Sequence, residues 1–116
     1  MNLYHCMIEL KSDAKALAFA AAVEQWIAPF QAAGHIMSWR LMRRKLRLGS
    51  QGHADFLLEI EVQDMAMLEA AFHAAGQADD AHARQYQIMH GMIATIETGL
   101  YRDFPDPERR ERIALI

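Results

Sequence analysis

WRLMRRKLRLGSQGHADFLLEIEV, residues 39–62, joins two extended patterns through a segment with two glycines. Its second half alternates: Phe56, Leu58, Ile60 and Val62 oppose Leu57, Glu59 and Glu61. A period of two with one wholly apolar row predicts a strand from Asp55 to Val62 that buries one face. From His35 to Leu48 the pattern is extended as well, and Gly49 to His53, with its two glycines, reads as the loop of a hairpin. Pairing Leu48 with Phe56 sets Leu46 against Leu58 on one face. On the other face Lys45 then meets Glu59 and Arg43 meets Glu61. A slip of one residue would set Lys45 against Leu58 and Arg43 against Ile60, so complementary charge selects the first register.

Working outward, MNLYHCMIEL predicts a strand over Asn2 to Leu10. Tyr4, Cys6, Ile8 and Leu10 share its more apolar side, and Leu3, His5, Met7 and Glu9 share the other. Ser12-Asp13 is a helix N-cap signature, followed by an alanine-rich helix to Ala33 that Gly34 closes. Leu17, Ala20, Ala21, Val23 (or Glu24), Ile27 and Phe30 roughly follow helical spacing. Pro29 removes one backbone donor and predicts a kink or a tighter last turn. Asp64 caps a second helix with Met65, Leu68 and Phe72 on its apolar side and Gly76 as its stop. Asp79 caps a third, holding Tyr86 and Met89. A last strand runs from about Ile93 to Tyr101, where Ala94, Ile96 and Leu100 alternate with Thr95 and Glu97; a helix through Met92 to Ile96 is the alternative. The tail from about 103 to 116, DFPDPERRERIALI, breaks at two prolines. It is expected to make a short turn after Asp106 and to dock its apolar end, Ile113 to Ile116, on a groove or a partner chain.

Strand, helix, strand, strand, helix, strand, with an additional helix before the last strand, is the α+β ferredoxin-like plan: an antiparallel sheet with helices on one face. The 116 residues are read as a single domain, 1–116, with no repeats or linkers. Apolar residues at 53% and charged residues at 23% predict a sizeable core and exclude intrinsic disorder. Twelve Lys and Arg against fifteen Asp and Glu argue against a general nucleic-acid binder. No apolar run approaches the roughly 18 to 20 residues needed to span a bilayer, and the opening lacks a basic region followed by an apolar one. One cysteine, Cys6, makes no internal disulfide and no thiolate zinc site. A cytoplasmic protein, with neither nucleic acid nor membrane among its partners, is expected.

Helices on one side leave the other side of the sheet bare. Under the chosen register that face carries Leu3, His5, Met7, Glu9, Trp39, Leu41, Arg43, Lys45, Leu57, Glu59, Glu61, Thr95, Glu97 and Tyr101. Large apolar groups among charges on an open sheet face mark an interaction site. Two copies packed face to face would bury them around a small polar-lined cavity, so a homodimer is expected.

At this point the chain resembles a known group. MNLYHCMIEL, WRLMRRKLRL, DFLLEIEV and GLYRDFPDPERRERIALI are similar to a small bacterial family without assigned activity in the dimeric α+β barrel superfamily. The resemblance implies two ferredoxin-like chains packed sheet against sheet. It implies no catalytic residue. Better-known members of the superfamily include cofactor-free monooxygenases, haem degraders, small lactone isomerases and stress-responsive proteins. The Asn, Trp and His used by haem degraders have counterparts in type in Asn2, Trp39 and His90, but their spacing does not match, and those roles are not carried over.

Candidate chemistry falls on the bare face. His5 would project into the intersheet cavity, where a neutral imidazole serves as a general base; alternatively a carboxylate such as Glu97 holds it. Glu59 and Glu61 are about 7 Å apart from the rise per strand residue, close enough to act as an acid and base pair. Alternatively they complete a charge ladder with Lys45 and Arg43. Trp39 and Arg43 offer stacking and anion binding, and Tyr101 a hydrogen bond into the cavity. No metal site is expected, since His82 and His90 are about 12 Å apart along a helix and His5, His35, His53 and His73 fall on other elements. Cys6 is expected to be buried and inert, and the methionines to fill the core. Two functions follow: a cofactor-independent enzyme or binder of a small organic molecule, or a non-catalytic dimerisation or stress-response module.

Overall fold

The computed structural model describes residues 1–105. In chain order the elements are β1 (Asn2–Leu10), α1 (Ala16–Ala32), β2 (Ser38–Arg43), β3 (Phe56–Val62), α2 (Met65–Gly76), α3 (Asp80–His90) and β4 (Ile93–Arg102). The strands form one antiparallel sheet in the order β2-β3-β1-β4. The protein is therefore an α+β chain of the ferredoxin-like plan. The expected turn after Asp106 and the docking of Ile113 to Ile116 lie outside the described residues.

One face of the sheet is the core. Cys6 and Ile8 of β1 and Phe56, Leu58, Ile60 and Val62 of β3 are buried, whereas their alternating neighbours are only half-buried. Against them α1 sets Phe19, Val23, Ile27 and Phe30, spaced by four, four and three residues. Phe19 is fully buried and meets Phe56 edge to face at 5.4 Å between ring centroids, which stabilises the fold by about 1.5–3 kcal/mol relative to an exposed ring. The apolar phase of α1 begins at Phe19 rather than Leu17, which is 87% exposed.

The helix also starts later than Ser12-Asp13 suggests. Ala14 N–H donates to Lys11 O at 3.0 Å, so these two residues turn the chain out of β1. Lys15 is then the cap, with no side-chain hydrogen bond. At the other end the helix passes through Pro29 and closes as expected at Gly34. Gly34 N–H donates to Gln31 O, His35 N–H donates to Phe30 O, and Gly34 has φ +81. That is a Schellman closure, which needs a left-handed residue at this position. Asp64 and Asp79 cap α2 and α3, accepting from Met67 N–H at 2.9 Å and His82 N–H at 2.8 Å. The last strand forms where the alternation placed it, and the helical alternative is not adopted.

The hairpin departs from the sequence reading. β2 ends at Arg43, and Arg43 rather than Leu48 lies opposite Phe56. Arg44 N–H donates to Asp55 O at 2.7 Å, after which Leu46 (φ 55) and Arg47 (φ 54) take left-handed conformations that no strand can continue. The connection is thus residues 44–55 instead of Gly49 to His53. The register moves by five residues, and an odd shift exchanges the faces of β2. Trp39, Leu41 and Arg43 lie on the helix-bearing face, and Ser38, Arg40 and Met42 take the helix-free one. Lys45 is in the connection. Charge complementarity chose the wrong partner because Arg40 satisfies Glu59 equally well.

Candidate functional site

Two surfaces could carry function, one on each side of the sheet. On the helix-free side the strands set up three cross-sheet rows: Ser38, Glu61, Leu3 and Tyr101; Arg40, Glu59, His5 and Gly99; and Met42, Leu57, Met7 and Glu97. His5, Glu59, Glu61, Glu97 and Tyr101 therefore share this face, as the alternation predicts. Trp39 and Arg43 do not. Trp39 packs against the core, and the Arg43 guanidinium lies 5.5 Å from the centroid of the Phe56 ring.

The two carboxylates of the middle strand are both engaged. Glu59 accepts from the Arg40 guanidinium, and Glu61 Oε2 accepts from Ser38 Oγ at 2.8 Å. Of the expected charge ladder one ion pair forms, Arg40 with Glu59, while Glu61 takes the neutral Ser38 hydroxyl in place of Arg43. His5 stands between Glu59 and Gly99 and meets Tyr101 edge to face at 4.8 Å. Its ring occupies the space a side chain at position 99 would take: a Cβ there would fall 2.6 Å from His5 Nε2. Glu97 faces Met7, and among the described residues no hydrogen bond joins it to His5.

On the opposite side, a partly open cleft of about 560 Å³ separates the sheet from the helices. Tyr4, Cys6, Ile8, Leu58, Ile60, Ile93 and Ile96 form its floor; Trp26, Ile27 and Phe30 of α1, Leu68, Ala71 and Phe72 of α2, and His82, Tyr86 and His90 of α3 stand around it. Small residues, Ala71, Ala75, Gly76, Ala78 and Ala83, keep the helices from filling the gap. The half-exposed Phe72, Tyr86 and Ile96 mark its open side. No Asp, Glu, Lys or Arg contributes to the lining.

One wall is a continuous run of rings. Trp26 meets Phe30 and Tyr86 at 5.4 and 5.6 Å, Phe30 meets His82 at 4.8 Å, and Tyr86 stacks on His90 at 5.2 Å. Such contacts add about 0.5–1.5 kcal/mol each beyond their burial. His82 Nε2 lies 2.8 Å from Trp26 O. A carbonyl only accepts, so Nε2 carries the proton, and in the neutral ring Nδ1 is left as an acceptor.

On the floor, burial pushes the Cys6 thiol up to about 11, a hydrogen bond with Tyr4 offsetting part of this. The Tyr4 phenol is raised as well, chiefly by burial. Cys6 is therefore a thiol, not a thiolate, at neutral pH, as expected of a buried and inert cysteine. Reading the helices for metal spacing passed over the role of His82, Tyr86 and His90. Their spacing of four is the signal, because it puts three rings on one face of α3. Among the described residues no three His, Cys, Asp or Glu side chains converge to hold a metal ion, and no helix is long and apolar enough to cross a membrane.

The fold is shared with solved structures at low sequence identity. The Arabidopsis thaliana protein At3g17210 is similar over 89% of this chain and 95% of its own, with TM-score 0.68 and 9% identity. A dimeric ferredoxin-like protein of unknown function from Jannaschia sp. CCS1 is similar over 89% of this chain and all of its own (TM-score 0.64, 13% identity). A putative antibiotic biosynthesis monooxygenase from Caulobacter crescentus CB15 covers 88% of both chains at TM-score 0.63 and 13% identity. No curated protein matches the chain in sequence. The family of unknown function DUF6614 matches residues 1–116, the whole chain, and the protein belongs to that family.

Proposed function

We propose that the protein is a homodimer, joined through the helix-free sheet face, in which each chain binds a small, uncharged, largely apolar organic molecule in its sheet–helix cleft. The observation that carries this reading is a cleft of about 560 Å³ without a charged side chain in its lining. Ligand sites typically span about 300–1,000 Å³, mostly apolar with a few hydrogen-bonding groups. Here Tyr4, His82, Tyr86, Gln87 and His90 supply those groups. An ionic ligand would lose its hydration with no counter-charge to replace it.

Support for the dimer is the half-buried apolar side chains of Leu3, Met7, Met42 and Leu57 on the other face, together with the description of similar structures as dimeric. His5, Glu59, Glu61, Glu97 and Tyr101 then act at the interface between chains. A base role for His5 in an intersheet cavity is the alternative placement of the chemistry. The engagement of Glu59 by Arg40 and of Glu61 by Ser38 favours the interface role, and with it a second reading, a non-catalytic dimerisation module.

Native mass spectrometry of the purified protein, followed by titration with the neutral fluorophore N-phenyl-1-naphthylamine, tests both halves. A dimer that takes up one probe per chain, with uptake lost in Ala71→Trp, is the expected result. A monomer overturns the interface, and a dimer indifferent to the probe leaves the module reading.

A further inference from the structure

The connection between β2 and β3 lies outside both the cleft and the helix-free face. Residues 25–54 contain no Asp or Glu, yet they hold Arg40, Arg43, Arg44, Lys45 and Arg47, five of the twelve basic residues. The net charge of -3 therefore conceals a strong segregation along the chain, with Arg43, Arg44, Lys45 and Arg47 at or next to the connection. Some of that charge is used internally. Arg40 pairs with Glu59, while Arg44 binds Asp55 Oδ1 at 2.9 Å and His53 O at 3.0 Å. Asp55 N–H in turn donates to Glu9 Oε1 at 2.9 Å. Lys45 and Arg47 are exposed and make no salt bridge among the described residues.

Between and beside these cations stand Leu46, 86% exposed, and Leu48, 70% exposed. They are not strays on a loose segment. The Arg44 clamp closes the base of the connection, and two turns brace it, Leu48 N–H to Lys45 O at 2.9 Å and His53 N–H to Ser50 O at 3.2 Å. Leu46 and Arg47 are both held left-handed, a conformation unfavourable for any residue with a Cβ. A braced loop that keeps two leucines in water, one between two cations and the other next to them, has the chemistry of an interfacial anchor. The leucines enter the acyl boundary while the cations meet anionic headgroups.

We propose that the 44–55 connection docks on an anionic lipid surface by inserting Leu46 and Leu48 between headgroups that Lys45 and Arg47 engage. The sequence reading expects no membrane partner because no segment can span a bilayer; surface docking requires no span.

The test is co-sedimentation of the full chain with vesicles of phosphatidylcholine alone and of phosphatidylcholine with three-tenths phosphatidylglycerol. The expected result is binding at least tenfold tighter to the anionic vesicles. Lys45→Glu with Arg47→Glu should abolish it. Leu46→Asn with Leu48→Ser should weaken it at least fivefold with every charge in place, Asn being chosen because it tolerates the left-handed backbone. Both variants alter exposed side chains and should melt within a few degrees of the parent. Equal binding to both vesicle types, or none, overturns the proposal. So does a leucine variant that binds anionic vesicles as well as the parent. Binding of double-stranded DNA that also ignores the leucines would reassign the patch to nucleic acid.

Discussion

Cys6 gives the sharpest test of the cleft as described. Its thiol lies in the floor, 5% exposed, and burial holds it protonated up to about 11 against a reference of 9.0. At pH 8 roughly one cysteine in ten is a thiolate in the unfolded chain, and roughly one in a thousand in the native protein. Alkylation by iodoacetamide should therefore run about a hundredfold slower in native protein than in 6 M urea, since the thiolate is the reacting form. The same shift sets an alkaline limit to stability. Folding favours the protonated thiol, so its contribution is intact below pH 9 and drains as pH rises toward 11. The loss is about 1.4 kcal/mol by pH 10 and approaches 2.3 kcal/mol by pH 11. Both are upper limits, because the cleft admits water that screens the thiolate. Tyr4 acts in the same direction. Urea melts of the parent and of Cys6→Ala at pH 8, 9 and 10 isolate the cysteine, whose removal should flatten the curve between pH 9 and 10. Native labelling within a few fold of the denatured rate, or identical pH profiles for both proteins, would refute the reasoning.

Four more substitutions probe three glycines and a helix cap. Gly34→Ala should cost about 1 kcal/mol, because a Cβ opposes φ +81, whereas Gly76→Ala, with open space around it and no left-handed φ, should gain up to ~1 kcal/mol; urea melts should show opposite signs. Gly99→Ala should unseat the His5 ring and, if the helix-free faces pair, raise the dimer dissociation constant at least tenfold in sedimentation while the chain stays folded. Asp79→Ala should remove the bond to His82 N–H at a cost of about 1 kcal/mol, and should also weaken uptake of the neutral probe by loosening the wall that His82 helps to build.

Local signals carried most of the fold. Alternation in β1 and β3 and the caps at Asp64 and Asp79 were legible because each depends on neighbours within a few positions. The β2 register was not, since the run Trp39 to Leu48 offers a cation or a leucine at almost every step and several pairings satisfy Glu59. What settled it was the left-handed pair Leu46 and Arg47, which sequence gives little reason to expect of residues other than glycine. That slip removed Trp39 and Arg43 from the helix-free face, while His5, Glu59, Glu61, Glu97 and Tyr101 kept their places because they sit on well-patterned strands. The cleft was invisible for a different reason. A gap between layers is a tertiary quantity, fixed by how closely α2 and α3 approach the sheet, and no local period encodes it.

The alanines of α2 and α3 have one more consequence. Because the cleft is open wherever Ala75 and Ala83 present only a methyl group, part of its shape is written in positions outside the buried core. A single exchange to valine, leucine or phenylalanine would redraw the chamber while leaving Phe19, Val23 and Val62 untouched. One scaffold can thus be retuned to molecules of different outline by point substitution, without renegotiating the stability of the sheet.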